Sequence, residues 1–109
     1  MKEIKAYIRE AMVDRVIDAI GKLPGPPGVT VLEVNAYGHR SGSDTLEKTP
    51  MAKLEVDVAD DSFDRVVDTI LQNARTQAGH PGDGKVYVSE LAGAYRISDG
   101  AFGEQVMDG

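Results

Sequence analysis

Charged and apolar side chains alternate along Lys5-Ala6-Tyr7-Ile8-Arg9, which predicts a strand over residues 2–9 with one buried face. From Met12 the period lengthens. Met12, Val13, Val16, Ile17, Ile20 and Leu23 line one side of a helix, while Asp14, Arg15, Asp18 and Lys22 take the other. Pro24-Gly25-Pro26-Pro27-Gly28 ends that helix, because proline lacks the N–H and clashes with the preceding turn. Residues 29–37 are β-branched with period two and predict a second strand. Residues 38–50 are polar, rich in glycine and serine, and show no burying face, so they read as an exposed, mobile loop. Residues 51–58 alternate again, giving a third strand. Asp60, Asp61 or Ser62 then caps a second helix with the stripe Phe63, Val66, Val67, Ile70 and Leu71, predicted to run to about Thr76. A fourth strand follows over residues 85–89, then an extended piece over 94–98 and a loop over 99–105.

Two segments are near copies. Val13-Asp14-Arg15-Val16-Ile17-Asp18-Ala19-Ile20 and Phe63-Asp64-Arg65-Val66-Val67-Asp68-Thr69-Ile70 each follow a strand and precede a break and another strand. The chain is therefore β-α-β twice over, a single α+β domain across residues 1–109. The predicted plan is ferredoxin-like, βαββαβ, with one antiparallel sheet covered on one face by two helices. Its other face needs a cover, and in so small a chain a second copy is the simplest one.

Composition narrows the chemistry. The 109 residues carry 18 acidic and 12 basic side chains, a net charge of −6 that disfavours nucleic acid and anionic membrane as partners. No apolar run reaches membrane length, and the alternating start does not resemble a signal peptide. With no cysteine there is neither disulfide nor thiolate ligand, and two histidines are too few for a purely His-ligated zinc site. A cytoplasmic location is the expectation.

One stretch invites chemistry: Gly79-His80-Pro81-Gly82-Asp83-Gly84-Lys85-Val86-Tyr87-Val88. Its glycines allow positive φ and close approach, and a lysine beside exposed N–H groups suits a phosphate or other anion. The same residues also suit a helix end followed by a plain turn into a strand. The order helix–loop–strand is the reverse of a P-loop.

Taken together, the residues resemble the PII family of trimeric signalling proteins over nearly the whole chain. The resemblance rests on residues 1–9, Thr30-Val31-Leu32-Glu33-Val34, Tyr37-Gly38, Ala74-Arg75-Thr76, residues 82–88, Arg96-Ile97, Gly100 and Gly103-Glu104. It implies a homotrimer with sheets facing inward and adenine nucleotides (ADP, AMP or ATP) in the clefts between subunits. It also implies a target-docking T-loop at about residues 38–50, a B-loop at about 79–85 and a C-loop at about 96–109. Carried over residue by residue, it assigns the phosphates to Gly82, Asp83, Gly84, Lys85 and Arg96. Thr30 falls beside the adenine and ribose, and Gly38 near the same pocket. In that context the anion cradle is the reading of the glycine stretch.

Departures from the family pattern bear on the ligand. The glutamine associated with Mg²⁺ and 2-oxoglutarate is Arg40, and the lysine that pairs with the 2-oxoglutarate carboxylate is Met51. A second phosphate-facing arginine is Ser98, and the T-loop is shorter by about eight residues. These changes argue against 2-oxoglutarate sensing and favour shorter adenylates, ADP or AMP, over Mg-ATP. They are similar to PII-like proteins that accompany bicarbonate or other membrane transporters, or carboxysomes. His39, Arg40 and Lys53 are then either a small-anion site for bicarbonate or solvated charges. The expectation is a regulator without catalysis. The alternatives are a nitrogen-type regulator binding ATP and 2-oxoglutarate, a slow nucleotide hydrolase using Asp83, and a metal-tolerance protein on the same trimeric plan.

Overall fold

A computed structural model describes residues 1–39, 42 and 44–108. The elements are β1 (Lys2–Arg9), α1 (Val13–Gly21), β2 (Thr30–His39), β3 (Leu46–Val58), α2 (Phe63–Ala74) and β4 (Gly84–Glu90). Short 3₁₀ turns cover Glu10–Met12, Pro81–Asp83 and Glu104–Asp108. The sheet order is β2-β3-β1-β4 with every neighbouring pair antiparallel, as the duplicated βαβ pattern predicts.

Alternation decides which strands are buried. Ile4, Ala6 and Ile8 of β1 face the helices, with Ala52, Leu54, Val56 and Val58 of β3 beside them, and all seven are buried. Val16 and Ile20 of α1 and Val66, Ile70 and Ala74 of α2 complete the core. Met12, Val13, Ile17 and Leu23 pack partly buried against it, so the helical stripe of α1 is inward-facing as expected. Burying an aliphatic side chain of this size contributes about 1.5–3 kcal/mol. Leu71 departs from the expected stripe: it is 42% exposed and forms the wall of a surface cleft.

The opposite face of the sheet is uncovered in the protomer. It carries Leu32 of β2, Tyr7 of β1 and Tyr87 of β4 among charges, with Lys5 bonded to Glu3 at 3.0 Å and Lys53 paired with Glu55 at 3.6 Å. The Glu3 carboxylate, by hydrogen bond and then by charge, pushes the Lys5 ammonium above its ordinary value. Tyr7 and Tyr87 meet edge to face at 6.2 Å, with Lys53 6.0 Å from the centre of the Tyr7 ring.

Four boundaries differ from the sequence reading. Residues expected to be loop are mostly ladder: Ala36 pairs with Thr49, Tyr37 with Lys48, Gly38 with Glu47 and His39 with Leu46. Polar composition hid this because the arm buries neither face, so it is held by backbone hydrogen bonds without an apolar stripe. Beyond Met51, which faces Arg9, β3 has only β2 as neighbour. Pro50 sits at that step, where the missing N–H costs no rung. Second, α2 ends at Ala74 because Arg75 is already extended, with ψ 133°. Third, Ser62 is the N-cap residue but its hydroxyl goes to Asp61 rather than back to the helix. Fourth, residues 94–98 form no strand: Tyr95 makes a single bridge to Phe102 across a turn closed by Gly100 N–H to Arg96 O.

Candidate functional site

The loop after α2 is built by one carboxylate. Asp83 accepts from the Thr76 hydroxyl at 2.5 Å and the Thr76 amide at 3.0 Å, from the His80 amide at 2.9 Å, and from Arg9 Nε at 3.1 Å. These four bonds, the Thr76 hydroxyl foremost, hold the Asp83 carboxyl well below the usual carboxylate range. Such a group is a weak proton acceptor. The Asp83 carboxylate shapes the loop.

Glycine is required at one position above all. Gly84 has φ 111°, and a Cβ there would stand 1.7 Å from the Tyr7 carbonyl oxygen. At Gly82 a Cβ would come 2.6 Å from Arg9 Nη2. The imidazole of His80 lies in this gap, its Nδ1 3.0 Å from the Gly82 amide and 3.0 Å from Arg9 Nη2. The Asp83 amide bonds the His80 carbonyl at 2.9 Å. Lys85 follows on β4, opposite Tyr7. Around the loop, a cleft is walled by Ile70, Leu71, Ala74 and Val86 and rimmed by Arg75 and Lys85.

A second cleft lies at the other edge of the sheet. It is lined by Thr30, Glu55, Asp57, Tyr95, Arg96 and Ser98. Arg96 donates to Asp99 at 2.9 Å and to the Gln105 carbonyl at 3.4 Å. Its Nε is buried and has no partner among the described residues. An unsatisfied buried donor costs roughly 1–3 kcal/mol, so this atom is matched to an arriving acceptor. Burial, then Glu3 and Glu55, pushes the Asp57 carboxyl above its ordinary value. Glu55 and Asp57 put two carboxylates on the same lining as the Arg96 guanidinium.

The structure therefore splits the predicted site residues. Gly82, Asp83, Gly84 and Lys85 are together at the β4 edge, and Thr30 and Arg96 are together at the β2 edge. Gly38 is eight residues along β2 from Thr30, about 27 Å of strand, so one small ligand cannot touch both in one protomer. His39 and Lys53 are likewise apart: Lys53 pairs with Leu32 and His39 with Leu46, seven rungs away and on the other face. Arg40 lies outside the described residues. Sequence reading missed Arg9 and Thr76, whose roles come from partners 74 and 7 positions away. It missed the capping role of His80 as well, although a histidine before Pro-Gly-Asp is a local signal for a capped turn.

Comparison with known proteins agrees with this architecture. The family described as "Nitrogen regulatory protein P-II" matches residues 1–101. The chain is 37% identical over 108 residues to "Nitrogen regulatory protein P-II" of Klebsiella oxytoca, covering 92% of this chain and 94% of that one. It is similar to the same degree and extent to "Nitrogen regulatory protein P-II 1" of Escherichia coli (strain K12). It is 34% identical over 111 residues to "Nitrogen regulatory protein P-II" of Bradyrhizobium diazoefficiens, covering 94% and 96%.

Proposed function

The chain belongs to the nitrogen regulatory protein P-II family, and from that premise we propose that it is a non-enzymatic signalling protein whose adenine-nucleotide sites lie between copies. The observation that carries this is the split site. A cationic, glycine-rich loop at one sheet edge and a carboxylate-lined cleft with an unsatisfied arginine at the other are two halves of one pocket. They meet only when the β4 edge of one copy approaches the β2 edge of the next. A heterologous contact of this kind, repeated, closes into a ring, and the family plan makes that ring a trimer. The uncovered sheet face with its tyrosines is then the interior of the assembly.

The loop half and Arg96 take the phosphates, and Thr30 lies beside the ribose and adenine. Met51 is 6% exposed, an apolar side chain where a 2-oxoglutarate carboxylate would need a cation, which supports adenylates alone rather than the 2-oxoglutarate-dependent variant. The paired, acidified Asp83 carboxylate supports binding without hydrolysis. The β2–β3 arm is the surface offered to a regulated target, for which a membrane transporter or a carbon-metabolism component is the reading.

Titration calorimetry with ADP, AMP and ATP, run beside a light-scattering mass, tests the proposal. ADP binds to a trimer, and Lys85→Ala weakens binding by about ten- to a hundredfold, the worth of a charge-assisted contact. Lys48→Ala, on the arm, leaves affinity unchanged. Equal losses in the two variants, or a monomer that binds ADP at full strength, would overturn the site. Repeating the ADP titration with bicarbonate present tests the small-anion reading of His39, Arg40 and Lys53.

A further inference from the structure

One donor of the glycine loop, the Gly82 amide, is already occupied by a side chain. His80 Nδ1 receives the Gly82 amide and Arg9 Nη2, both at 3.0 Å. A guanidinium can only donate, and so can an amide, so Nδ1 must present its lone pair. The ring in this structure is therefore neutral, with its proton on Nε2. An acceptor atom held between a backbone N–H and a guanidinium is where a phosphate oxygen would sit.

We propose that His80 is a gate on this loop: its neutral imidazole holds the Gly82 amide and Arg9, and a phosphate oxygen takes over both donors as His80 takes up a proton. The inference rests on the nucleotide reading given above and adds Arg9 and His80 to its binding residues. The exchange balances. Two hydrogen bonds move from Nδ1 to the phosphate, one proton passes from solvent to Nδ1, and the resulting imidazolium faces an anion instead of an empty lone pair. Protonation at Nδ1 would break both bonds and set a second cation against Arg9. The charged and titratable groups around the ring all bear on this. Arg9 comes from β1, Arg75 packs over Gly79 from the end of α2, and Lys85 and Tyr7 line the same cleft. All but Tyr7 are cationic. Asp83 is the one carboxylate, and it is bound to the His80 amide and Arg9 Nε.

Gly82 makes the arrangement possible, since a side chain there would meet Arg9 Nη2 at 2.6 Å and Nδ1 at 3.3 Å. Asp83 holds the loop whether or not the gate is closed, because its four bonds do not involve the imidazole. The gate is therefore a side-chain rearrangement on a loop that keeps its backbone. Such a change is inexpensive.

The test is calorimetry with ADP at about pH 6 and about pH 8, on the wild-type protein and His80→Ala, with each titration repeated in buffers of different ionisation enthalpy. Wild-type protein is expected to take up close to one proton per ADP near pH 8 and to bind about ten- to a hundredfold more tightly at the lower pH. His80→Ala is expected to take up none, to lose that pH dependence, and to bind ADP more tightly than wild type at about pH 8. ADP binding without proton uptake in the wild type overturns the gate and leaves the nucleotide site standing, and this reading does not depend on the variant. A pH dependence that survives in His80→Ala does the same. Nitrogen NMR of the free protein checks the starting state: His80 in the Nε2–H form at about pH 8, with the Gly82 amide shifting as the ring titrates. Failure of ADP to bind either protein overturns both the gate and the site, and the NMR signature then reports a purely structural cap.

Discussion

The two connectors that leave α1 and α2 do the same topological task with opposite chemistry. Residues 22–29 and 75–83 each carry the chain from a helix of near-identical sequence to an edge strand. The first contains three prolines and relies on them: φ is fixed in the unfolded chain as well as the folded one, so little conformational entropy is lost. The second contains one proline and is held instead by native bonds radiating from Asp83 to Thr76, His80 and Arg9. A connector stiffened covalently can only be a spacer. One held by hydrogen bonds can exchange them for bonds to a ligand, as the proposed gate requires.

Substitutions that hit each connector at its own support test this contrast. The largest effect is expected from Gly84→Ala, where a methyl collides with the Tyr7 carbonyl and φ is 111°; the loss is about 3 kcal/mol or more in urea unfolding. Gly28→Ala in the first connector has open space and costs well under about 1 kcal/mol. Comparable losses at the two glycines would erase the distinction.

Next in size is Asp83→Asn, which leaves the shape and removes the charge. Because the folded carboxyl sits below its unfolded value, its contribution is complete above pH about 4 and fades as pH falls through the lower folded value. Thermal melts should therefore show a wild-type advantage that is constant from neutral pH down to about 5 and shrinks below about 4. An advantage that grows with acid would show that the bonds to Thr76 and Arg9 do not discriminate the ionised form. The smallest effect belongs to Pro26→Ala, about 0.4–1 kcal/mol, arising in the unfolded chain. A bigger loss there than at Asp83 would reverse the comparison.

How much of this could be read from the residues follows the same line. The strands, the helices and their duplication were legible because apolar periodicity reports burial, and the core side chains at Ile4, Leu54, Val16 and Ile70 obey it. The arm was not legible, because a two-stranded ladder exposed on both faces leaves no periodic trace at Gly38, Glu47 and Lys48. The glycine loop was legible as a break between α2 and β4 through local spacing, whereas the part played by Arg9 was not, since it meets Asp83 across 74 positions. Asp83 itself looked like a ligand contact and is the keystone of the loop backbone.

One strand joins the outer arm to the interior without a break. β3 runs thirteen residues from Leu46, far out on the arm, to Val58 in the core, and the molecule extends 52 Å along its long axis against 19 Å along its shortest. Mechanically this is a cantilever rooted at Met51, whose neighbour across the sheet is Arg9. The root of the arm is thus one rung from the residue that contacts both His80 and Asp83.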